Sequence, residues 1–380
     1  MKKIAYAMAL AGITVSAFSA LNASAQAAPA APAKPAAPTI GDVLAASGLD
    51  ISGYIDTSYS HLSGSGAFTS GVPNRVFDYE PSSFNLHQAA ITVAKQPKEG
   101  FGGVVNLILG KDAKVIKSYD QGTSDFDVTQ AFAQYANGSF TVIAGKYVTM
   151  AGAEVINSTL NSNYSRSILF GYAIPFTHTG VRATYAATDT VSFILGVNNG
   201  WDQTKDANKQ KTVELGVAVS PNKMFSFVAQ GYIGKEPLAA PFPFPVEGQR
   251  NLFDMVATVN ATDSLSFVLN YDYGTQEKAA ALGKKAKWTG FAGYVNYAFS
   301  DTLKLSVRGE YFNDKDGYRT GVVQKWKEAT VSLTYSPTKS VDLRAEVRGD
   351  KSDQASFIGS NGVTGKKSQN SAALQAIYKF

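Results

Sequence analysis

The chain has 380 residues, of which 34 are Gly and none Cys, with 17% charged and 12% aromatic side chains. The absence of cysteine excludes disulfides, thiolate metal sites and cysteine nucleophiles, and three histidines (His61, His87, His178) leave little material for a histidine metal centre. The formal charge of +5, two charges of which belong to Lys2 and Lys3, is too mild to point to nucleic acid.

Lys2 and Lys3 precede an apolar run from Ile4 to Ala20, after which Ala23-Ser24-Ala25 or Ala25-Gln26-Ala27 offers small residues to a signal peptidase. Residues 1–25 therefore read as an export signal; the run is too short, and too soon followed by a cleavage pattern, for a membrane anchor. Residues 26–38, QAAPAAPAKPAAP, lack bulky apolar side chains and read as an extended linker. Thr39 is placed to cap a short helix over 40–47, which Gly48 ends, so that 26–50 forms one linker-and-helix segment.

No later stretch reaches 18 consecutive apolar residues, so no helix is expected to cross a membrane. Mean hydropathy is −0.09. A β-barrel is untouched by that test, because each of its strands shows lipid with only every second residue.

From residue 51 onward the pattern is a run of strands. In 341–350, Val341, Leu343, Ala345 and Val347 point one way while Asp342, Arg344, Glu346, Arg348 and Asp350 point the other. The same alternation recurs at 265–273 and 303–311. Sixteen strands are predicted, at 51–61, 83–95, 101–110, 126–137, 139–148, 178–187, 190–200, 211–220, 224–234, 250–261, 264–274, 287–299, 302–313, 326–336, 340–350 and 369–380. Most run ten to thirteen residues. A tilted strand needs about 9–11 to cross a bilayer, against about five or six in soluble sheets. Short turns such as Thr188-Asp189, Thr262-Asp263 and Ser300-Asp301 alternate with long polar loops at 62–82, 149–177, 235–249, 275–286, 314–325 and 351–368. That asymmetry, with an even strand count, predicts an all-β fold: a transmembrane antiparallel barrel over 51–380 in the outer-membrane lipid of a bacterium.

Aromatics near the strand ends (Tyr59, Tyr135, Tyr147, Trp201, Trp288, Tyr297, Trp326, Tyr335 and others) read as interfacial girdles. An Arg or Lys facing lipid at mid-bilayer costs roughly 2–4 kcal/mol, so the charged face must look into the lumen, which should then hold water. This assigns Asp254, Asp272, Lys304, Arg308, Glu310, Asp342, Arg344, Glu346 and Arg348 to the lumen. Signs alternate among them, which predicts weak ion selectivity. The last strand alternates through Ala372, Leu374, Ala376, Tyr378 and Phe380. Its aromatic-x-Phe ending resembles the assembly signal of bacterial outer-membrane proteins and makes the barrel-assembly machinery an expected partner.

Five segments resemble the OmpL-like family of β-barrel porins. They are GYIDTSYS (53–60), NRVFDYEPSSFNLHQA (74–89), GKYVTMAGAEVI (145–156), NSNYSRSILFGYAIPFTHTGVRATY (161–185) and NNGWD (198–202). This chain has Met150 where that pattern often has Pro. The resemblance implies an outer-membrane channel for passive diffusion of small hydrophilic solutes and ions, and says little about which. In general 16-stranded porins the third external loop folds inward. By analogy the 149–177 loop should narrow the bore, with Glu154, Asn163, Tyr164, Arg166, Tyr172, His178 and Arg182 near the constriction. Ile168, Leu169, Phe170, Ile174 and Phe176 in that loop would be ill placed in solvent. The same analogy suggests a homotrimer.

Two other readings stay open: a closed barrel serving adhesion or envelope structure, and an outer-membrane hydrolase. His178 lies between Thr177 and Thr179, but neither GxSxG nor HExxH occurs, so the chain is not read as an enzyme. No EF-hand spacing is present, and no metal or cofactor is expected.

Overall fold

The computed structural model describes residues 39–63, 74–238, 247–358 and 364–380. The predicted signal at 1–25, the linker at 26–38 and the loop tips 64–73, 239–246 and 359–363 lie outside the described residues.

The short helix is α1, Ile40–Ser47, and Gly48 follows it at φ 67°, a left-handed conformation that costs glycine little. The first half of the barrel is β1 (Asp50–Leu62), β2 (Phe84–Lys95), β3 (Gly100–Leu109), β4 (Phe126–Asn137), β5 (Phe140–Val148), β6 (Thr177–Ala186), β7 (Val191–Asn198) and β8 (Thr212–Asn222). The second half is β9 (Phe225–Pro237), β10 (Glu247–Asn260), β11 (Leu265–Gln276), β12 (Ala286–Ala298), β13 (Leu303–Asp314), β14 (Gln324–Thr338), β15 (Val341–Ser352) and β18 (Ser368–Lys379). A small hairpin of β16 (Phe357–Ile358) and β17 (Thr364–Lys366) stands apart from that sheet, inside the predicted 351–368 loop. A second helix, α2 (Lys111–Ile116), sits between β3 and β4.

Sixteen strands close into one antiparallel barrel, each bonded to its neighbour along the chain, with β18 paired to β1. All sixteen predicted strands are present, with ends within about three residues of those expected. At the seam Tyr54 faces Lys379 and Ser58 faces Gln375. Gly53 and Phe380 exchange two backbone hydrogen bonds of 2.9 Å. A Cβ at Gly53 would collide with the Phe380 ring, so this close approach needs glycine.

The two faces separate as the alternation requires. On β15, Leu343 and Val347 are exposed, while Arg344, Glu346, Arg348 and Asp350 are buried. In a closed barrel, exposed apolar rows must be the lipid side and the buried charged rows the inside. The short turns repeat one device. Thr188, Thr262 and Ser300 each accept, at the side-chain oxygen, the backbone N–H groups two and three residues on, at 3.0–3.3 Å.

The girdle is narrower than the sequence suggested. Tyr59, Tyr135, Tyr273, Tyr297, Phe299, Tyr335 and Tyr378 are exposed on the outer surface, but Tyr54, Tyr147, Trp201, Trp288 and Trp326 are buried. Trp326 is two residues from Glu328 and shares its inward face. Its indole N–H donates to Asp350 at 3.0 Å, so it belongs to the interior.

Candidate pore-lining site

Residues 149–176, between β5 and β6, bond to side chains on the inward face of most of the second half of the barrel. Thr149 Oγ1 pairs with Tyr232 Oη of β9 at 3.1 Å, and the Ala153 N–H donates to Asn270 of β11 at 3.2 Å. A 3-10 turn at Ser158–Leu160 is capped by Asn157, which accepts the Thr159 N–H at 2.9 Å. Three arginines then hold the segment by its carbonyls. Arg344 donates to Asn161 O and Asn163 O at 2.9 and 3.0 Å, Arg308 to Ser165 O at 2.7 Å, and Arg348 to Arg166 O at 2.8 Å. Glu346 takes the opposite groups, accepting the N–H of Tyr164 at 2.7 Å and of Ser165 at 3.0 Å. A π-helical turn, Leu169–Ala173, buries Leu169, Phe170 and Ala173, and the Trp288 indole donates to Ala173 O at 3.0 Å. The apolar residues that solvent would not accept are thereby covered.

Four of the seven predicted constriction residues meet in this region. Glu154 accepts Arg308 Nη1 at 2.8 Å and the Ser167 N–H at 2.7 Å. Asn163 donates to Ser332 at 2.7 Å, and Arg166 donates to Ile156 O at 3.0 Å. Tyr164 reaches Ser58 on β1 at 3.0 Å. Tyr172 stands apart, its ring 5.8 Å from Trp326 and its carbonyl accepting from Arg319. His178 and Arg182 form a separate cluster on β6. Arg182 pairs with Glu214 at 3.0 Å, and His178 stacks on Tyr232 with ring centroids 4.9 Å apart.

The nine predicted lumen charges face inward, but eight are not wet, and this revises the expectation of a hydrated charged lining. Arg308, Asp254 and Asp272 are 0% exposed, and of the nine only Lys304, at the turn end of β13, is open. Segment 149–176 and neighbouring carboxylates supply the partners that water was expected to give. Arg308 lies 3.1 Å from Glu310 and 3.2 Å from Glu328 in addition to Glu154. Asp342 accepts Lys379 at 2.7 Å. Asp254 and Asp272 stand opposite each other in register; Asn270 donates to Asp254 at 2.8 Å, while both oxygens of Asp272 find no donor among the described residues. Towards the short turns the lining opens: Ser226 and Thr258, paired on the same inward face, are half-exposed.

A loop carboxylate fixes the β6 end of the segment. Asp202, after β7, accepts the N–H groups of Phe176 and Thr177 at 2.8 and 2.9 Å. Burial pushes its carboxyl up to about 6, partly offset by those two donors. Burial also disfavours the Asp78 carboxylate, yet Arg75 and Arg348 beside it hold it below the usual range. Among the described residues no group of three or more metal-ligating side chains is assembled.

The fold has solved relatives in shape. The outer membrane channel DcaP of Acinetobacter baumannii is similar at 13% identity and a TM-score of 0.60, over 87% of this chain and 97% of that one. The anion-selective porin from Comamonas acidovorans is similar at 11% identity and a TM-score of 0.59, covering 87% and 99%. OmpT of Vibrio cholerae gives 14% identity and a TM-score of 0.59, covering 87% and 97%. No curated protein matches the chain. The family described as "Putative beta-barrel porin-2, OmpL-like" matches residues 48–380, which start just after α1 and take in the entire barrel, and the chain belongs to that family.

Proposed function

We propose that the protein is a bacterial outer-membrane channel through which small hydrophilic solutes and ions diffuse, narrowed by residues 149–176. The observation that carries this reading is the grip of Arg308, Arg344 and Arg348 on the carbonyls of Asn161, Asn163, Ser165 and Arg166. A segment held at that many points inside a sixteen-stranded wall restricts the bore, since the bare wall encloses far more space than side chains fill. The half-exposed lining near Ser226 and Thr258 is then a vestibule on the short-turn side. Family membership and the channel described for DcaP support the same function. Lining charges of both signs favour weak selectivity, so the anion preference of the Comamonas porin is not carried over.

The test is single-channel recording of the refolded protein in a planar bilayer under a salt gradient. The expected record is small stepwise conductance with a modest reversal potential, and Glu154→Gln or Arg166→Ala shifting one or both. A silent bilayer from protein with full strand content and heat-modifiable migration would favour the closed structural barrel. That alternative draws its support from the dry Arg308 cluster.

A further inference from the structure

We propose that Lys287, Lys315, Lys325, Lys327 and Lys351, on the outer surface of the barrel, hold the phosphates of outer-leaflet lipid A. The proposal rests on the outer-membrane reading above, with the long loops facing outward, and not on whether the bore conducts.

Strand parity puts these side chains outside. On β14 the even residues Trp326, Glu328 and Thr330 are buried in the interior, while the odd residues Lys325, Lys327 and Ala329 are exposed. Lys287 on β12 shares the parity of the exposed Phe291, and Lys351 on β15 that of the exposed Val347. Backbone pairing then gathers the charges. Lys327 is the register partner of Lys351, which sets their Cβ atoms about 5 Å apart. Lys325 lies two residues above Lys327 on the same face. Lys315, exposed just past β13, donates its N–H to Lys287 O at 3.2 Å. Four consecutive strands, β12 to β15, thus end in lysine on the long-loop side.

Like charges directly opposite each other destabilise a sheet, and the chain does not neutralise these. None of the five takes part in an ion pair among the described residues. Asp316 and Asp353 stand beside them, but their carboxylates accept the backbone N–H groups of Lys287 and Lys325, each at 2.8 Å. The patch is therefore open to an external anion.

Its height selects the anion. Lys327 is eight residues from Tyr335 on β14, about 27 Å along the strand and about 20 Å across a bilayer at a tilt of about 40°. With the reach of its stem, the Lys327 ammonium arrives at the top of an apolar band about 25 Å tall, and Lys325 stands higher. The same outward columns end at the short turns in Tyr297, Leu303, Tyr335 and Leu343, without a lysine. The charge is confined to one leaflet, at the level of its headgroups. A soluble anion needs no particular height, whereas a phosphate carried by a lipid is fixed at this one. Lysine serves as a point charge for phosphate, and basic clusters at a membrane boundary bind phosphorylated lipids on this principle.

The experiment uses the full chain refolded in detergent and titrated with lipid A or with dephosphorylated lipid A, binding being read by native mass spectrometry. Wild-type protein should retain lipid A and not the dephosphorylated form, more weakly as salt is raised. Lys327→Gln with Lys351→Gln should weaken binding about 30-fold, at about fivefold for each lysine, and Lys327→Arg with Lys351→Arg should keep it. Lys223→Gln with Lys339→Gln, which removes exposed lysines from the short turns, should bind as the wild type does. Heat-modifiable migration checks that each variant folds. Equal binding of the dephosphorylated lipid overturns the proposal, as does an unchanged affinity in the Gln pair at 327 and 351. An equal loss from the short-turn pair overturns it too, because total charge would then account for the binding. Displacement of lipid A by an equal concentration of inorganic phosphate would make the patch a site for a soluble anion instead. Failure of the outer-membrane reading shows separately, as long loops that protease added to whole cells does not cut, and it overturns the proposal whatever the purified protein binds.

Discussion

Arg308 uses every donor direction of its guanidinium. It reaches Glu154, Glu328, Thr330 and both the carbonyl and hydroxyl of Ser165, all within 3.3 Å. Replacing it by Met keeps much of the volume but leaves Glu154 buried without its cation. Breaking one side of such a buried pair costs about 3–5 kcal/mol. Arg308→Met should therefore lower the temperature at which heat-modifiable migration is lost, and an unchanged temperature would mean that Arg348 takes over the carboxylates. Asp202 gives a prediction of opposite character. Its carboxyl sits at about 6 when folded, against an ordinary 3.8. Between those values the unfolded chain releases the proton and the folded chain keeps it. Stability is then greatest below the lower value, falls as pH rises through the window, and is flat above it. The drop is at most about 3 kcal/mol. Asp202→Asn should remove this part of the slope when melting is followed from pH 4 to 7; a slope that survives the substitution belongs to other groups.

At the scale of elements, what period two controls was legible and what crosses the barrel was not. The strands of 265–276 and 341–352 are visible because lipid outside and polar groups inside write opposite chemistry on adjacent residues. Trp288 and Trp326 were misread because an aromatic at a strand end suits a membrane interface and a packed interior equally. The shared parity of Trp326 with Glu328 was the available signal. The buried hydrogen-bonded chain of Ser58, His87 and Asp112 left none, because its parts sit on three elements and depend on a bulge. The 149–176 segment was half legible: its apolar run marked it as covered, but partners more than a hundred residues away, such as Arg308 for Ser165, leave no local pattern. Trp288 tests how the π-helical turn is held. Trp288→Ala removes the hydrogen bond to Ala173 O and the edge contact with Trp201 at 6.3 Å. Loss of so large a buried ring costs about 3–5 kcal/mol locally. Single-channel steps should become larger and noisier, whereas unchanged steps would place the limiting aperture elsewhere in the bore.

For the whole molecule, closure is what removes the last exposed strand edge, and one residue joins the seam to the outer surface. Phe380 supplies both backbone bonds to Gly53, and its ring, like that of Tyr378, is more than half exposed on the lipid side. We propose that these two rings are what the barrel-assembly machinery recognises, and the geometry lets recognition be separated from stability. Phe380→Ala and Tyr378→Ala keep the backbone pairing and remove exposed apolar surface, so the melting of protein refolded in detergent should move little. Deleting Phe380 removes two hydrogen bonds, each worth about 1 kcal/mol net, and should lower refolded stability. In cells all three variants should reach the outer membrane at several-fold lower yield, measured by surface protease accessibility against total protein. Normal yield for the two alanine variants beside a low yield for the deletion would assign Phe380 to sealing the barrel alone. Low yield for all three, with only the deletion less stable in detergent, requires that the rings be read before the seam closes.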